Sequence, residues 1–344
     1  MLMISSAEVA EILSGRETDL IDIVRDAYVQ HERGQSAVPH SIFLRFPGDT
    51  QNRIIGLPAY LGGDDPVCGM KWVASFPGNL AMGLQRASAT ILLNSVRTGR
   101  LLAVIEGSLI SAKRTAASAA LAARLLADQQ NDLADQQNDG VTLVGCGVIN
   151  LEVLRFLRAA LPTISQVTLF DRDRDRAVEF ARACEEVAPG VRVRVADDAG
   201  EAMAANSLVC FATTALQPHT HLSACRPGTT VLHLSLRDVQ PETILGCQNV
   251  VDDADHVCRE GTSLYLAEQM TGNRGFIAAS IGAILSAPES FHRDPGSIRV
   301  FSPFGLGILD LAVARFVWQA AKQRKLGLEL HDFQPSPDVE PETV

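Results

Sequence analysis

Apolar residues recur at helical spacing from Ala7 to Arg33, with Val9, Ile12, Leu13, Leu20, Ile23, Val24 and Ala27 on one stripe, which predicts a helix. From Pro39 the pattern shortens. Ser41–Phe46, Ile54–Leu57, Cys68–Ala74, Ala89–Ser95 and Leu101–Ile105 are β-type runs broken by Gly, Pro and Asn. Thr98-Gly99, between the last two, reads as a hairpin turn. Ser111–Ala127 is rich in Ala and Leu and predicts a second helix, with Arg114 just before its alanine-rich part. These segments form one α+β unit. The sequence LADQQND then occurs twice in tandem, at Leu126–Asp132 and Leu133–Asp139. Each copy is polar apart from one Leu, so residues 126–139 read as a duplicated connector rather than a repeat architecture.

From Val141 strands and helices alternate. The expected strands are Val141–Val144, Gln166–Phe170, Val191–Val195, Ser207–Ala212, Thr229–Ser235 and Asn249–Val251. The expected helices are Leu151–Ala160, Arg174–Val187 and Glu201–Ala205. This alternation specifies an α/β fold with a Rossmann-type, doubly wound parallel sheet over residues 140–301. Gly305–Leu326 is a strongly apolar helix beyond the sheet, expected to pack back on the first unit. The tail at 331–344, with Pro335, Pro337 and Pro341 among acids, is expected to be loose.

The 344 residues suggest about two domains. A net charge of −10, with no basic run to offset it, argues against a nucleic-acid partner. It leaves room for small anions held by local Arg and Lys. The seven Cys are scattered and form no C-x-x-C, as expected of reduced thiols in a cytoplasmic protein. Met1–Ser14 lacks a signal-peptide pattern, and no apolar run reaches the ~18 residues of a membrane helix, so no membrane association is expected.

The Val141–Val144 strand runs into Gly145-Cys-Gly-Val-Ile-Asn150 and then a helix. Gly145 permits the tight turn, Gly147 lets a pyrophosphate approach the backbone, and Val148, Ile149 and Asn150 open the helix N-terminus. Asn150 replaces the third glycine of the usual fingerprint. Asp171 ends the next strand at about the expected spacing of ~20 residues, where a carboxylate grips the adenosine ribose and repels a 2′-phosphate. These features point to NAD, although Arg172 beside Asp171 would soften the selection against NADP. Thr213, after the Ser207–Ala212 strand, and Ser235, at the end of Thr229–Ser235, belong to the same set.

Isolated cations mark the first unit. Lys71 lies in an apolar strand, Arg114 beside the alanine-rich helix, Arg86 in a run of small residues, and Arg45 closes a strand. Such cations need either a structural ion pair or a bound anion, and Arg grips a carboxylate in a bidentate fork. After the Thr229–Ser235 strand come Arg237 and Asp238, placed with Ser235 to face the nicotinamide end of a dinucleotide. Asp238 reads either as a proton acceptor or as a turn cap. His219 and His221 read as a surface loop. Asp252, Asp253, Asp255 and His256 read as a solvated turn rather than a metal cluster, and no metal is expected. Cys146 reads as a space-filling residue.

Lys71-Trp72, Arg86-Ala-Ser-Ala89, Ser111-Ala-Lys-Arg-Thr-Ala-Ala117, Gly145-Cys-Gly-Val-Ile-Asn150 and Ser302-Pro-Phe-Gly-Leu-Gly-Ile-Leu-Asp310 together resemble the ornithine cyclodeaminase/μ-crystallin family over nearly the whole chain. The resemblance implies a homodimer, with a substrate and dimerisation domain built from both chain ends (1–125 and 302–330). Lys71-Trp-Val-Ala-Ser-Phe-Pro77, Arg155-Phe-Leu157, Leu234-Ser-Leu-Arg-Asp238 and Asp252-Asp-Ala-Asp-His256 are similar to the branch that makes L-2,3-diaminopropionate for siderophores and peptide antibiotics. It implies Arg45, Lys71 and Arg114 as carboxylate contacts, Asp238 as acid/base, and Thr115, the Gly145 loop and Gly305 as dinucleotide contacts. Arg86 and Arg237 would help hold a substrate with several carboxylates, and Lys71 would double as a base. Ser-Leu-Arg-Asp stands where cyclodeaminases carry an Asp-Cys-Pro-Gly type of segment, which turns the expectation away from ornithine. Cyclodeaminase, amino-acid or ketimine dehydrogenase, and a non-catalytic dinucleotide binder of μ-crystallin type are the alternatives.

Overall fold

The computed structural model describes residues 1–49, 51–127 and 140–334. The expected first helix is two, α1 (Ser6–Leu13) and α2 (Glu17–Glu32), because Gly15 takes a left-handed φ of +67° between them. A capping box starts α1: the Ser5 hydroxyl meets the Glu8 amide, and Glu8 accepts from the Ser5 amide. A short strand, β1 (Leu2–Ile4), precedes α1 and was not legible in the sequence.

The first sheet continues with β2 (Ser36–Ala37), β3 (Ile42–Arg45), β4 (Arg53–Leu61), β5 (Val67–Ser75), β6 (Ala87–Asn94) and β7 (Leu101–Glu106). Then comes α3 (Ser108–Leu126). It starts three residues earlier than the expected Ser111, and Arg114 lies within it. Strands β3 to β7 pair antiparallel, and the β6–β7 hairpin turns at Gly99, as the sequence predicts. Of the duplicated connector, residues 128–139 lie outside the described part, as do 335–344 of the tail.

The second half holds β8 (Gly140–Val144), α4 (Val148–Ala160), β9 (Gln166–Phe170), α5 (Arg174–Val187), β10 (Arg192–Val195), α6 (Ala199–Ala205), β11 (Leu208–Phe211) and β12 (Thr230–His233). It goes on through α7 (Pro241–Leu245), β13 (Gln248–Val251), α8 (Ala254–Val257), α9 (Ser263–Thr271), β14 (Ile277–Ser280), α10 (Ile281–Ser286) and β15 (Arg299–Ser302). Its strand order is β10-β9-β8-β11-β12-β15-β13-β14, with every pairing parallel. Strands β8, β11, β12 and β15 are buried throughout, as a sheet covered on both faces requires. Eight strands stand where six were expected. Strands β14 and β15 are four residues each and mix small or polar side chains with apolar ones, so they carry no clear run. The chain then makes α11 (Gly307–Arg324) and β16 (Leu328–Glu329), which pairs antiparallel with β1. Helix α11 packs on α2, α3, β4 and β5, so the chain end returns to the first sheet.

Helices α2 and α3 are tied by a buried hydrogen bond of 2.7 Å between the Tyr28 and Ser118 hydroxyls. Tyr28→Phe should leave the Ser118 hydroxyl buried without its partner. A loss of about 1–2 kcal/mol in urea unfolding is the expected cost.

Candidate active site between the two sheets

Strand register decides which cations face inward. Lys71 lies opposite Leu57 on β4 and Ile91 on β6, so it shares a face with Arg53, Leu57 and Ser75. Arg45 pairs directly with Arg53 and joins that face. Trp72 points to the opposite face with Ile42, Leu44 and Tyr60, and all four are exposed.

Lys71 is 3% exposed and donates to Asp310 Oδ2 at 2.7 Å and to Ser111 Oγ at 3.1 Å. Arg114 Nε donates to the other oxygen of Asp310 at 3.1 Å. Asp310 is fully buried on α11, so one carboxylate serves two cations. Burial pushes its carboxyl upward, but Arg114 and Lys71 outweigh that and hold it below the usual carboxylate range. Burial lowers the Lys71 ammonium to about 8; Asp310 opposes the shift and Arg114 adds to it. The two directions are compatible, because Lys71 has only part of the anion and a guanidinium beside it. Asp310 is the ion-pair partner that the sequence reading did not name. Gly305 has φ +93°, and a Cβ there would lie 2.7 Å from Arg114 Nη1, so only glycine fits against the guanidinium. Asp252 fixes that turn by accepting from the Phe304 and Gly305 amides at 2.9 and 2.7 Å.

The expected solvated turn at 252–256 is instead a buried junction in part. Asp252 is 2% exposed, Asp253 caps α8 and meets His31 Nε2 at 3.1 Å, and His256 reaches the Val38 carbonyl. Their polar atoms are taken up within the protein, which sequence spacing cannot reveal. His219 and His221 are exposed, as the loop reading expects. Among the described residues, no group of three or more His, Cys, Asp or Glu is arranged to hold a metal ion.

Across from these cations, the carboxyl ends of the parallel strands converge. Gly145 has φ +93°, and a Cβ there would meet the Ala212 carbonyl at 2.6 Å. Gly147 has open space around its own Cβ position. Asp173 and Asp198 cap α5 and α6 with side-chain hydrogen bonds, whereas α4 starts at Gly147 with none. Its first amides therefore need another acceptor. Asn150 is fully buried and donates to the Val144 and Gly145 carbonyls, so this replacement for the third glycine locks the turn. Asp171 accepts from the Cys146 amide at 2.7 Å and the Asp173 amide at 3.0 Å. Arg172 is exposed. Arg176, unmarked by the sequence reading, donates to the Cys146 carbonyl. Cys146 is 4% exposed, and burial first, then Asp171, pushes its thiol up to about 12, so it is inert. Thr115, on α3, donates to the Ser111 carbonyl.

Asp238 is fully buried beyond β12. It accepts hydrogen bonds from the Thr213 and Ser235 hydroxyls, and His233 Nε2 lies 3.3 Å from its Oδ2. Burial raises its carboxyl, but His233, Ser235 and Thr213 outweigh that and hold it ionised. Leu236, between Ser235 and Arg237, has φ +67°, a left-handed conformation that costs a leucine roughly 1–3 kcal/mol. The strained turn puts Asp238 back under the strand end. Arg237 donates to the Glu260 carbonyl at 2.6 Å, and Arg45 pairs with the Glu260 carboxylate at 2.8 Å. Arg53 interacts electrostatically with Arg45, Arg237 and Glu260, and Arg86 with Arg53, so these five residues make a second charged cluster.

The family model for the ornithine cyclodeaminase/mu-crystallin family matches residues 1–325. An N-((2S)-2-amino-2-carboxyethyl)-L-glutamate dehydrogenase of Staphylococcus aureus is 26% identical over 337 residues, covering 96% of this chain and 98% of that protein. Among solved structures, a Thermococcus litoralis Δ1-pyrroline-2-carboxylate reductase in complex with NADH and L-proline superposes with a TM-score of 0.87 at 24% identity, covering 96% of this chain and all of that one. An archaeal alanine dehydrogenase dimer with bound NAD gives a TM-score of 0.84 at 26% identity, covering 97% of this chain and 99% of that one.

Asp310→Asn should strand two buried cations and destabilise the protein by about 3–5 kcal/mol in denaturant unfolding. Adding Lys71→Met should recover part of that loss, since the two sites share one interaction. The match over residues 1–325, together with the shared fold, makes this chain a member of the ornithine cyclodeaminase/μ-crystallin family.

Proposed function

We propose that the protein is an NAD-dependent oxidoreductase that cleaves N-((2S)-2-amino-2-carboxyethyl)-L-glutamate to L-2,3-diaminopropionate and 2-oxoglutarate, a step toward siderophores or peptide antibiotics. The observation that carries this reading is the surplus of cations over anions around the site. Lys71 and Arg114 suffice for one carboxylate, and Arg45, Arg86 and Arg237 remain for others. An alanine-sized substrate has no use for them. Residues 1–125 and 302–330 would hold substrate, and residues 140–301 would hold the dinucleotide. The uncapped start of α4, the open Gly147 and the Asp171 carboxylate suit a diphosphate and an adenosine ribose. Bound there, NAD⁺ supplies a hydride acceptor for the α-carbon of the glutamate half.

The residues divide the remaining work. Arg114 fixes a carboxylate. Lys71, neutral above about 8, takes the proton of the secondary amine as the carbon is oxidised to the imine level. Water then adds to the imine carbon, and the carbon–nitrogen bond breaks to release 2-oxoglutarate and the free amine. Asp238 has no exposed surface, so it acts on that water through the partly exposed Ser235 or Thr213 hydroxyl.

A homodimer fits the exposed apolar face of Ile42, Leu44, Tyr60 and Trp72. The seven cysteines are all free, in keeping with a cytoplasmic setting. No helix among the described residues is long and apolar enough to cross a membrane.

Mixing the protein with NAD⁺ and the glutamate conjugate should give reduced nicotinamide, with both products visible by mass spectrometry. Ornithine, alanine and glutamate should give little. Silence with the conjugate and turnover of ornithine to proline would transfer the assignment to a cyclodeaminase. Asp238→Asn should retain NADH binding in calorimetry while turnover is lost; a non-catalytic binder has no turnover to lose. The rate kcat/KM should climb as pH rises through about 8, where Lys71 gives up its proton. Lys71→Arg should remove that limb and cost roughly 10²–10⁴-fold in kcat.

A further inference from the structure

The second charged cluster has a centre that no sequence motif marked. Arg53 starts β4, is half-buried, and its buried Nε has no hydrogen-bond partner. Among the described residues it makes no ion pair. It lies directly opposite Arg45 in the β3–β4 ladder. Like charges facing each other across two strands are destabilising. Arg53, Arg86 and Arg237 are each held below the usual guanidinium range, first by burial; Arg45 then adds to the effect on Arg53, Arg53 adds to it on Arg86, and Arg53 and Arg45 add to it on Arg237. The anion facing this group is Glu260, which comes from the loop between α8 and α9 on the dinucleotide side. Its carboxylate reaches Arg45, and its carbonyl is gripped by Arg237. Glu260 holds φ +54° and Gly261 φ +68°, two successive left-handed residues that bend the loop into the cluster.

Arg45, Arg53 and Arg237 around one carboxylate, with Arg86 beside Arg53, leave an excess of positive charge with unused donors. A second anion would satisfy both. Its distance from Lys71 restricts what that anion is. Leu57 faces Lys71, and Arg53 is four residues along the same strand, so the two positions are roughly 13 Å apart along β4. One ligand reaching toward both cations must carry carboxylates at two ends.

We propose that Arg53 is the centre of a distal-carboxylate subsite, and that Glu260 is its built-in counter-ion, occupying the cluster until the second carboxylate of the substrate displaces it. This deepens the reading above and rests on it for the identity of the substrate. The Glu260 contact lowers affinity for every dicarboxylate but keeps the cluster from holding stray anions. Selectivity then comes from Arg53, since a monocarboxylate cannot repay the displacement.

The test uses binding, not turnover. The NADH-loaded protein is titrated by calorimetry with 2-oxoglutarate and with its monocarboxylate counterpart, 2-oxopentanoate. The wild type should favour 2-oxoglutarate. Arg53→Gln should weaken 2-oxoglutarate by about tenfold or more, roughly 1.4 kcal/mol, and leave 2-oxopentanoate unchanged. Glu260→Gln should tighten 2-oxoglutarate several-fold without affecting 2-oxopentanoate. If Arg53→Gln keeps the full preference, or Glu260→Gln weakens 2-oxoglutarate, the subsite is overturned while the substrate assignment stands. If the wild type shows no preference, the subsite and the polycarboxylate reading fall together. If the preference depends on Arg53 but the glutamate conjugate is not turned over, the subsite stands and the substrate must be another dicarboxylate.

Discussion

One buried carboxylate ties this molecule together. Asp310 sits near the start of the last long helix with no exposed surface, and its two oxygens are taken by Lys71 from the first sheet and Arg114 from α3. Neither cation tolerates burial alone, and an unpaired carboxylate would be as costly. The three must therefore be assembled together, which forces the chain end back onto its beginning. Gly305 and Asp252 belong to the same constraint. The glycine leaves room for the Arg114 guanidinium, and the aspartate holds the glycine in its left-handed conformation.

The parallel sheet solves a different problem. Its strand ends cluster groups that are far apart in sequence: the Gly145 turn, Asp171, Thr213, Ser235 and Asp238. Asn150 and the strained Leu236 show how much local structure is committed to aiming these groups. The result is a polarised pair of facing surfaces. One wall is the inner face of an antiparallel sheet carrying cations. The other carries uncapped amides and an ionised Asp238 under two hydroxyls. Glu260 and Arg237 cross between them. These local fields stand apart from the net charge of the whole protein, which is −10.

Periodicity made much of this legible. Buried parallel strands read as apolar runs, and Val141–Val144 followed by Gly145-Cys-Gly located the tight strand-to-helix turn because that turn is built from adjacent residues. The strands β14 and β15 escaped because four residues with small or polar members have no period to detect. Helix α1 and α2 merged in the sequence because their apolar stripes are in phase across Gly15.

The sequence by itself determined the two element patterns, the glycine turn after β8 and the isolation of Lys71 and Arg114 in apolar surroundings. It did so because each is a local property of neighbouring residues. The tertiary structure alone decided that Asp310 answers both cations, that Arg53 faces Arg45, that Glu260 enters their cluster, and that Asp238 lies beneath Thr213 and Ser235. Apart from Arg45–Arg53 and Ser235–Asp238, those pairings join residues distant along the chain, and strand register and helix return set them.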